Sequence, residues 1–181
     1  MIGDRSAIEI GAGHGVLAEA LDIPATDSRQ QDDPKYRRVY LGSGQPPVHY
    51  GDNIIKMDAA EAVRHYRPDV VIAQWVTHRW RPDRHHAGGN EVGVDEEDIL
   101  EHCSAYIFIG NRRVHKDKGI WTRLHSISEP SFVFSRSVNG SPDFIAVWPG
   151  RGKATSTLWK PWESWQSTDG PRRDDPSHGK A

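Results

Sequence analysis

Cysteine is almost absent from this sequence. Cys103 stands alone among 181 residues, so no intrachain disulfide can form, and a reducing, cytoplasmic compartment is the expected setting. Long apolar runs are missing too: none approaches the ~20 residues that a membrane-spanning helix needs. The apolar stretch after Met1 to Arg5 is too short for a secretory signal. Neither sign of charge dominates, with 25 acidic residues against 23 basic ones mixed along the chain. That balance does not advertise nucleic acid, although folding can still assemble a local basic groove. Apolar residues make up only 36%, so part of the length is expected as loop or disorder.

What is present reads as one domain with a tail. Ser6 to Ile10 is a short apolar run ending at glycines, and Val16, Leu17, Ala20 and Leu21 follow at helical spacing. Ile23 to Asp27 suits a second strand. Residues 29 to 53 carry prolines and glycines without helical periodicity, and predict a long irregular connection with at most a short strand at Val39 to Leu41. Ile54 to Met57 is the third strand, and Ala59, Ala62, Val63 and Tyr66 mark an amphipathic helix that Pro68 ends. The run Val70-Val71-Ile72-Ala73 within Asp69 to Val76 predicts a central parallel strand covered on both faces. A polar loop spans Thr77 to Gly93. Asp95 and the acidic turn Glu96-Glu97-Asp98 then open a helix, and Ala105 to Ile109 is the next strand. Phe132 to Ser137 and Phe144 to Trp148, separated by Asn139-Gly140-Ser141-Pro142, predict an antiparallel hairpin.

The expected fold is therefore α/β: a doubly wound, mostly parallel sheet with a C-terminal antiparallel hairpin. The domain is expected over residues 1–150. A Trp-rich extension with Trp159, Trp162 and Trp165 follows over 151–168, and a disordered tail over 169–181. In such a sheet, ligands bind beyond the carboxyl ends of the strands where strand order reverses, which puts weight on Gly11-Ala12-Gly13-His14-Gly15 after the first strand. Glycines permit a tight turn and a close ligand approach, and the helix that follows favours negative charge. The spacing is G-x-G-x-G. Val16 stands where the dinucleotide fingerprint G-x-G-x-x-G would have its last glycine.

With the acidic residue before it, Glu9-Ile10-Gly11-Ala12-Gly13-His14-Gly15 resembles the first motif of class I (Rossmann-like) methyltransferases that use S-adenosylmethionine (SAM). The resemblance covers Ser6 to Ile109. It implies a class I methyltransferase-like fold with SAM held by Glu9, Gly11, Ala12, Gly13 and Gly15. It also implies Asp27, eighteen positions after Glu9, on the ribose hydroxyls, Asp58 near the adenine amine, and Gln74 beside the methionine moiety. Other readings of these residues stay open: the glycines as a plain turn, Glu9 as an acceptor for loop amides, and Asp58 with Glu61 as a helix cap.

A sulfonium is already an activated electrophile, so the protein mainly has to align an acceptor and exclude water. His78, in the loop after the fourth strand, is the candidate base, against the alternative of a solvated histidine. His78, His85 and His86 lack a recognised ligand spacing, and no metal is expected. Gln74-Trp75-Val76-Thr77 departs from the Asp/Asn-Pro-Pro-aromatic motif of enzymes that methylate amino groups of nucleic acids. Cys103 follows His102 instead of the proline expected for a cytosine-methylating nucleophile. The acceptor and the oligomeric state are therefore unassigned. Three readings follow: a SAM-dependent methyltransferase, a non-catalytic SAM-binding module of the same fold, and a nicotinamide-dependent reductase, which Val16 disfavours.

Overall fold

The computed structural model of the protein describes residues 2–133 and 137–151. Seven strands form one sheet in the order β3-β2-β1-β4-β5-β7-β6. They are β1 (Ala7–Ile10), β2 (Ala25–Asp27), β3 (Ile54–Lys56), β4 (Val70–Gln74), β5 (Ala105–Asn111), β6 (Ser126–Ser128) and β7 (Asp143–Pro149). The first five run parallel, and β7 lies antiparallel between β5 and β6. The chain winds from β1 outward to β3, then returns to place β4 on the other side of β1. The carboxyl ends of β1 and β4 therefore frame the reversal point, which is the expected doubly wound sheet with its antiparallel hairpin.

Period-two alternation explains why both faces are apolar. Val71 and Ala73 of β4, Tyr106 and Phe108 of β5, and Phe144, Ala146 and Trp148 of β7 share one core with residues of two helices, α3 (Ala59–Tyr66) and α4 (Glu96–Glu101). The intervening Val70, Ile72, Ile107 and Ile145 form a second core on the opposite face, which Leu17 of α1 (Val16–Leu21) joins. Asp58 and Asp95 cap α3 and α4 by accepting from the Ala60 and Asp98 amides. Arg64 reaches Asp98 at 2.7 Å and ties the two helices together. No helix among the described residues is long and apolar enough to cross a membrane.

Two expectations are corrected. The connection before β3 contains a helix, α2 (Pro34–Gly42), preceded by a 3-10 turn at Gln30–Asp32, so Val39 to Leu41 is helical. Asp33 caps α2 through the Lys35 amide, with Pro34 at the first helical position. No residue of α2 is buried, which is why apolar periodicity gives no sign of it. The hairpin partner of β7 is Ser126–Ser128, not Phe132 to Ser137. Phe132 lies in a turn, and residues 134–136 fall outside the described residues. Asn139-Gly140 bends the longer β6 to β7 connection, where Ser141 donates its amide to Asn139 Oδ1. The Thr77 to Gly93 loop is more ordered than expected, with a 3-10 stretch at Pro82–Ala87. All but the first residue of the Trp-rich extension expected over 151–168, and the tail expected over 169–181, lie outside the described residues.

Candidate functional site

The glycine turn has the backbone its composition calls for. Gly11, Gly13 and Gly15 have φ of +59°, +57° and +77°, a region that L side chains adopt at a cost. Gly15 is the N-cap of α1 and offers no side chain to the helix amides. Glu9, fully buried on β1, takes over that role from below: its Oε2 accepts from the Ala18 amide at 2.9 Å. Its Oε1 accepts from Gln74 Nε2 at 2.9 Å, so one carboxylate joins β1, α1 and β4 at the reversal point. Burial raises the Glu9 pKa above the ordinary carboxylate value, against the lowering effect of those two hydrogen bonds.

Asp27 closes the other side of the turn. Its Oδ2 accepts from the Gly13 amide at 2.9 Å and its Oδ1 from the Arg29 amide at 2.7 Å, while Ala12 donates to the Thr26 carbonyl. Burial raises the Asp27 pKa too, partly offset by the two amides. Above it, Tyr50 lies under the Arg29 guanidinium at 5.0 Å. Burial and the Asp27 charge push the Tyr50 phenol up to about 12. The segment before β3 packs onto the glycine turn, with Val48 anchored by its amide to Gln31 Oε1 at 3.0 Å.

Glu9 and Gln74 thus form one hydrogen-bonded pair, and Gly13 and Asp27 another. Asp58 sits one strand further out, where Asp27 pairs in register with Lys56. With Ser28, Arg29, Lys56 and Arg79 it lines a cleft of about 340 Å³ beyond the ends of β2 and β3. One Asp58 oxygen serves as the helix cap. His78 stands apart, on a separate cavity of about 40 Å³ that Arg84, Glu97 and Gly119 also line. Its Nε2 is buried, with no hydrogen-bond partner among the described residues. Burial first, and the Lys118 charge second, lower the His78 pKa. Among the described residues, no group of three or more His, Cys, Asp or Glu side chains is placed to hold a metal ion.

Sequence reasoning misses a buried polar group behind β4. Lys118 Nζ donates to Glu96 Oε1 at 2.8 Å and to the Val76 carbonyl at 3.0 Å, and the Tyr106 hydroxyl donates to the same Glu96 oxygen at 2.9 Å. Locally, Glu96 reads as one more acid in a first helical turn and Lys118 as one of two lysines flanking an aspartate. Only the pairing of distant segments brings them together.

No family model matches the sequence, and no curated protein matches it. Among solved structures the chain is similar to a Thermoplasma acidophilum protein, with 18% identity over 86% of this chain and 79% of that one and a TM-score of 0.44. It is also similar to Spodoptera frugiperda DNMT2, with 10% identity over 86% of this chain and 53% of that one and a TM-score of 0.43. A Streptococcus thermophilus rRNA methylase shares 14% identity over 81% of this chain and 88% of that one, with a TM-score of 0.40. Such distant likenesses say nothing of activity, and the protein's own strand order and glycine turn carry the assignment. With a parallel sheet reversing between β1 and β4, an antiparallel β7 inserted before β6, and a G-x-G-x-G turn at the reversal point, the chain has the class I methyltransferase-like fold.

Proposed function

We propose that the protein binds SAM across the glycine turn and transfers its methyl group to an acceptor. The observation that carries this reading is the Asp27 carboxylate: buried at the end of β2, it is fixed to the Gly13 amide and so faces the turn from the next strand. The donor set fits the cofactor. A carboxylate with spare lone pairs suits a ribose diol, and the cleft beside Asp58 has the volume of a small-molecule site. Glu9 and Gln74 hold the turn and the end of β4 in place for the amino-acid portion, and Gly13, where a Cβ would meet nothing closer than 3.7 Å, lets it approach the backbone, while Gly11 and Gly15 make room for Val76 and Ile54.

When bound, SAM supplies a methyl group already activated by the sulfonium. The residues of the chain then have to orient the acceptor and remove a proton from acceptors that carry one. We assign that proton to His78, two residues beyond the Val76 that packs on Gly11; its depressed pKa keeps the ring neutral near pH 7. The buried thiol of Cys103, pushed up to about 12 by burial, is too poor a nucleophile for a covalent route, and its isolation fits a reducing, cytoplasmic setting.

Calorimetry with SAM and with its demethylated product tests binding. Incubation with methyl-labelled SAM and separated DNA, RNA, protein and small-molecule fractions of an extract tests turnover and identifies the acceptor class. Absence of SAM binding would refute the reading; binding without transfer to any fraction would leave a SAM-binding module.

A further inference from the structure

Lys118 has no solvent exposure along its side chain. A buried ammonium is costly unless acceptors replace water. Lys118 has Glu96 Oε1 at 2.8 Å, the Val76 carbonyl at 3.0 Å, and the face of Phe108 with its centroid 4.2 Å away. Glu96 balances the charge and Tyr106 fixes Glu96. The bond to the Val76 carbonyl helps satisfy the buried ammonium and at the same time ties it to the backbone beyond β4.

Val76 lies in the turn that leaves β4 toward the reversal point. The residue before it, Trp75, has φ +56°, a left-handed conformation that is unfavourable for a bulky side chain and persists only where neighbours enforce it. The Val76 side chain fills the space against Gly11, where a Cβ on that glycine would come within 2.5 Å of Val76 Cγ1. Two residues on is His78. A hydrogen bond to the Val76 carbonyl therefore acts on the one stretch of backbone that both meets the glycine turn and carries the proposed base.

We propose that Lys118 is a positioning residue: its ammonium, neutralised by Glu96, pins the Val76 carbonyl and thereby sets the backbone after β4 against the glycine turn, so that cofactor affinity depends on a side chain in the core. The affinity part of this proposal rests on the SAM-binding reading above; the backbone part does not.

Three variants separate positioning from plain core stability. Glu96→Gln keeps the Val76 bond but leaves the Lys118 charge unbalanced. It should lower Tm while SAM affinity stays close to wild type. Lys118→Met combined with Glu96→Gln removes both charges and the Val76 bond. It should recover much of that Tm loss, yet bind SAM at least about tenfold more weakly, as expected when binding atoms lose their placement. Lys118→Met alone should lose both properties, and if it fails to fold the double variant still decides. Amide hydrogen exchange of the peptide spanning Trp75 to His78 should quicken in the double variant and not in Glu96→Gln. Wild-type affinity and exchange in the double variant would overturn the proposal, as would equal loss of affinity in Glu96→Gln. If the wild-type protein does not bind SAM, the SAM reading falls by itself and the exchange comparison still tests the role of Lys118.

Discussion

The Asp27 carboxylate and the Gly13 amide are joined by a 2.9 Å hydrogen bond that fastens the end of β2 to the middle of the glycine turn. The same carboxylate receives the Arg29 amide. Asp27→Ala removes the acceptor for both and should cost about 1–3 kcal/mol of stability by denaturant unfolding. It should also weaken SAM binding at least about tenfold, the equivalent of ~1.4 kcal/mol, in calorimetry. Unchanged SAM affinity in a folded Asp27→Ala protein would remove Asp27 from the ribose assignment.

Glu9 tests a different link, because it acts on the scaffold beneath the turn. Glu9→Ala leaves the Ala18 amide uncapped and Gln74 unpartnered, so unfolding should show a loss of about 2 kcal/mol or more. Glu9→Gln retains one carbonyl oxygen but sets an amide against Gln74 or Ala18, and its stability should fall between those of wild type and Glu9→Ala.

Two glycines with similar φ separate strain from crowding. Gly140, at φ +70°, has open space for 4 Å around the position a Cβ would take, so Gly140→Ala should cost only the backbone term, about 1–2 kcal/mol. Gly11, at φ +59°, would drive its Cβ into Val76 Cγ1. Gly11→Ala should cost about 3 kcal/mol or more from strain and overpacking together, and should abolish SAM binding by displacing the strand-end turn. Equal Tm losses in the two variants would contradict the close contact between Gly11 and Val76.

Stability should fall as the medium is acidified from pH 6.5 toward 5. Burial, with the Lys118 charge beside it, pushes the His115 pKa down to about 4 from 6.5. In that window the unfolded chain binds a proton that the folded chain refuses, so stability rises with pH. After allowance for partial solvent screening the effect is on the order of 2 kcal/mol over the full window. The depressed His78 pKa has the same sign. Glu9 and Asp27 act oppositely. Their raised pKa values favour the fold below the ordinary carboxylate range, and that contribution is lost as pH rises through the raised values. His115→Gln should flatten the slope of unfolding free energy between pH 6.5 and 5; an unaltered slope would show that His115 does not titrate this way.

The sequence reveals those parts of the fold in which a single segment carries its own reason for its structure. Val70 to Ala73 needs cover on both faces because consecutive apolar residues point both ways, and both cores are there. Asp95 caps α4 as its acidic first turn implies. The glycine turn, Glu9 and Asp27 are legible through their order and spacing. What stays hidden depends on partners distant in sequence. Helix α2 buries none of its residues, so only Asp33-Pro34 announces it, and the prolines and glycines around that cap obscure it. Ser126–Ser128 has too little apolar character to mark a strand, and it is one because β7 offers an edge. The link from Lys118 to Val76 spans 42 positions and leaves no local trace.

The direction of β7 also decides where an attachment would do least harm. Asp143 pairs with Asn111 and Pro149 with Ala105, so the strand starts at the rim that holds the glycine turn and runs away from it. Arg151, bonded to the Leu100 carbonyl, emerges at the opposite rim. Its seven residues make β7 roughly 23 Å long at about 3.3 Å per residue. A fluorophore or surface tether placed at position 151 would therefore report on the protein from the far side of the sheet, while one on the Asn139-Gly140 bend would stand on the ligand side and be expected to obstruct it.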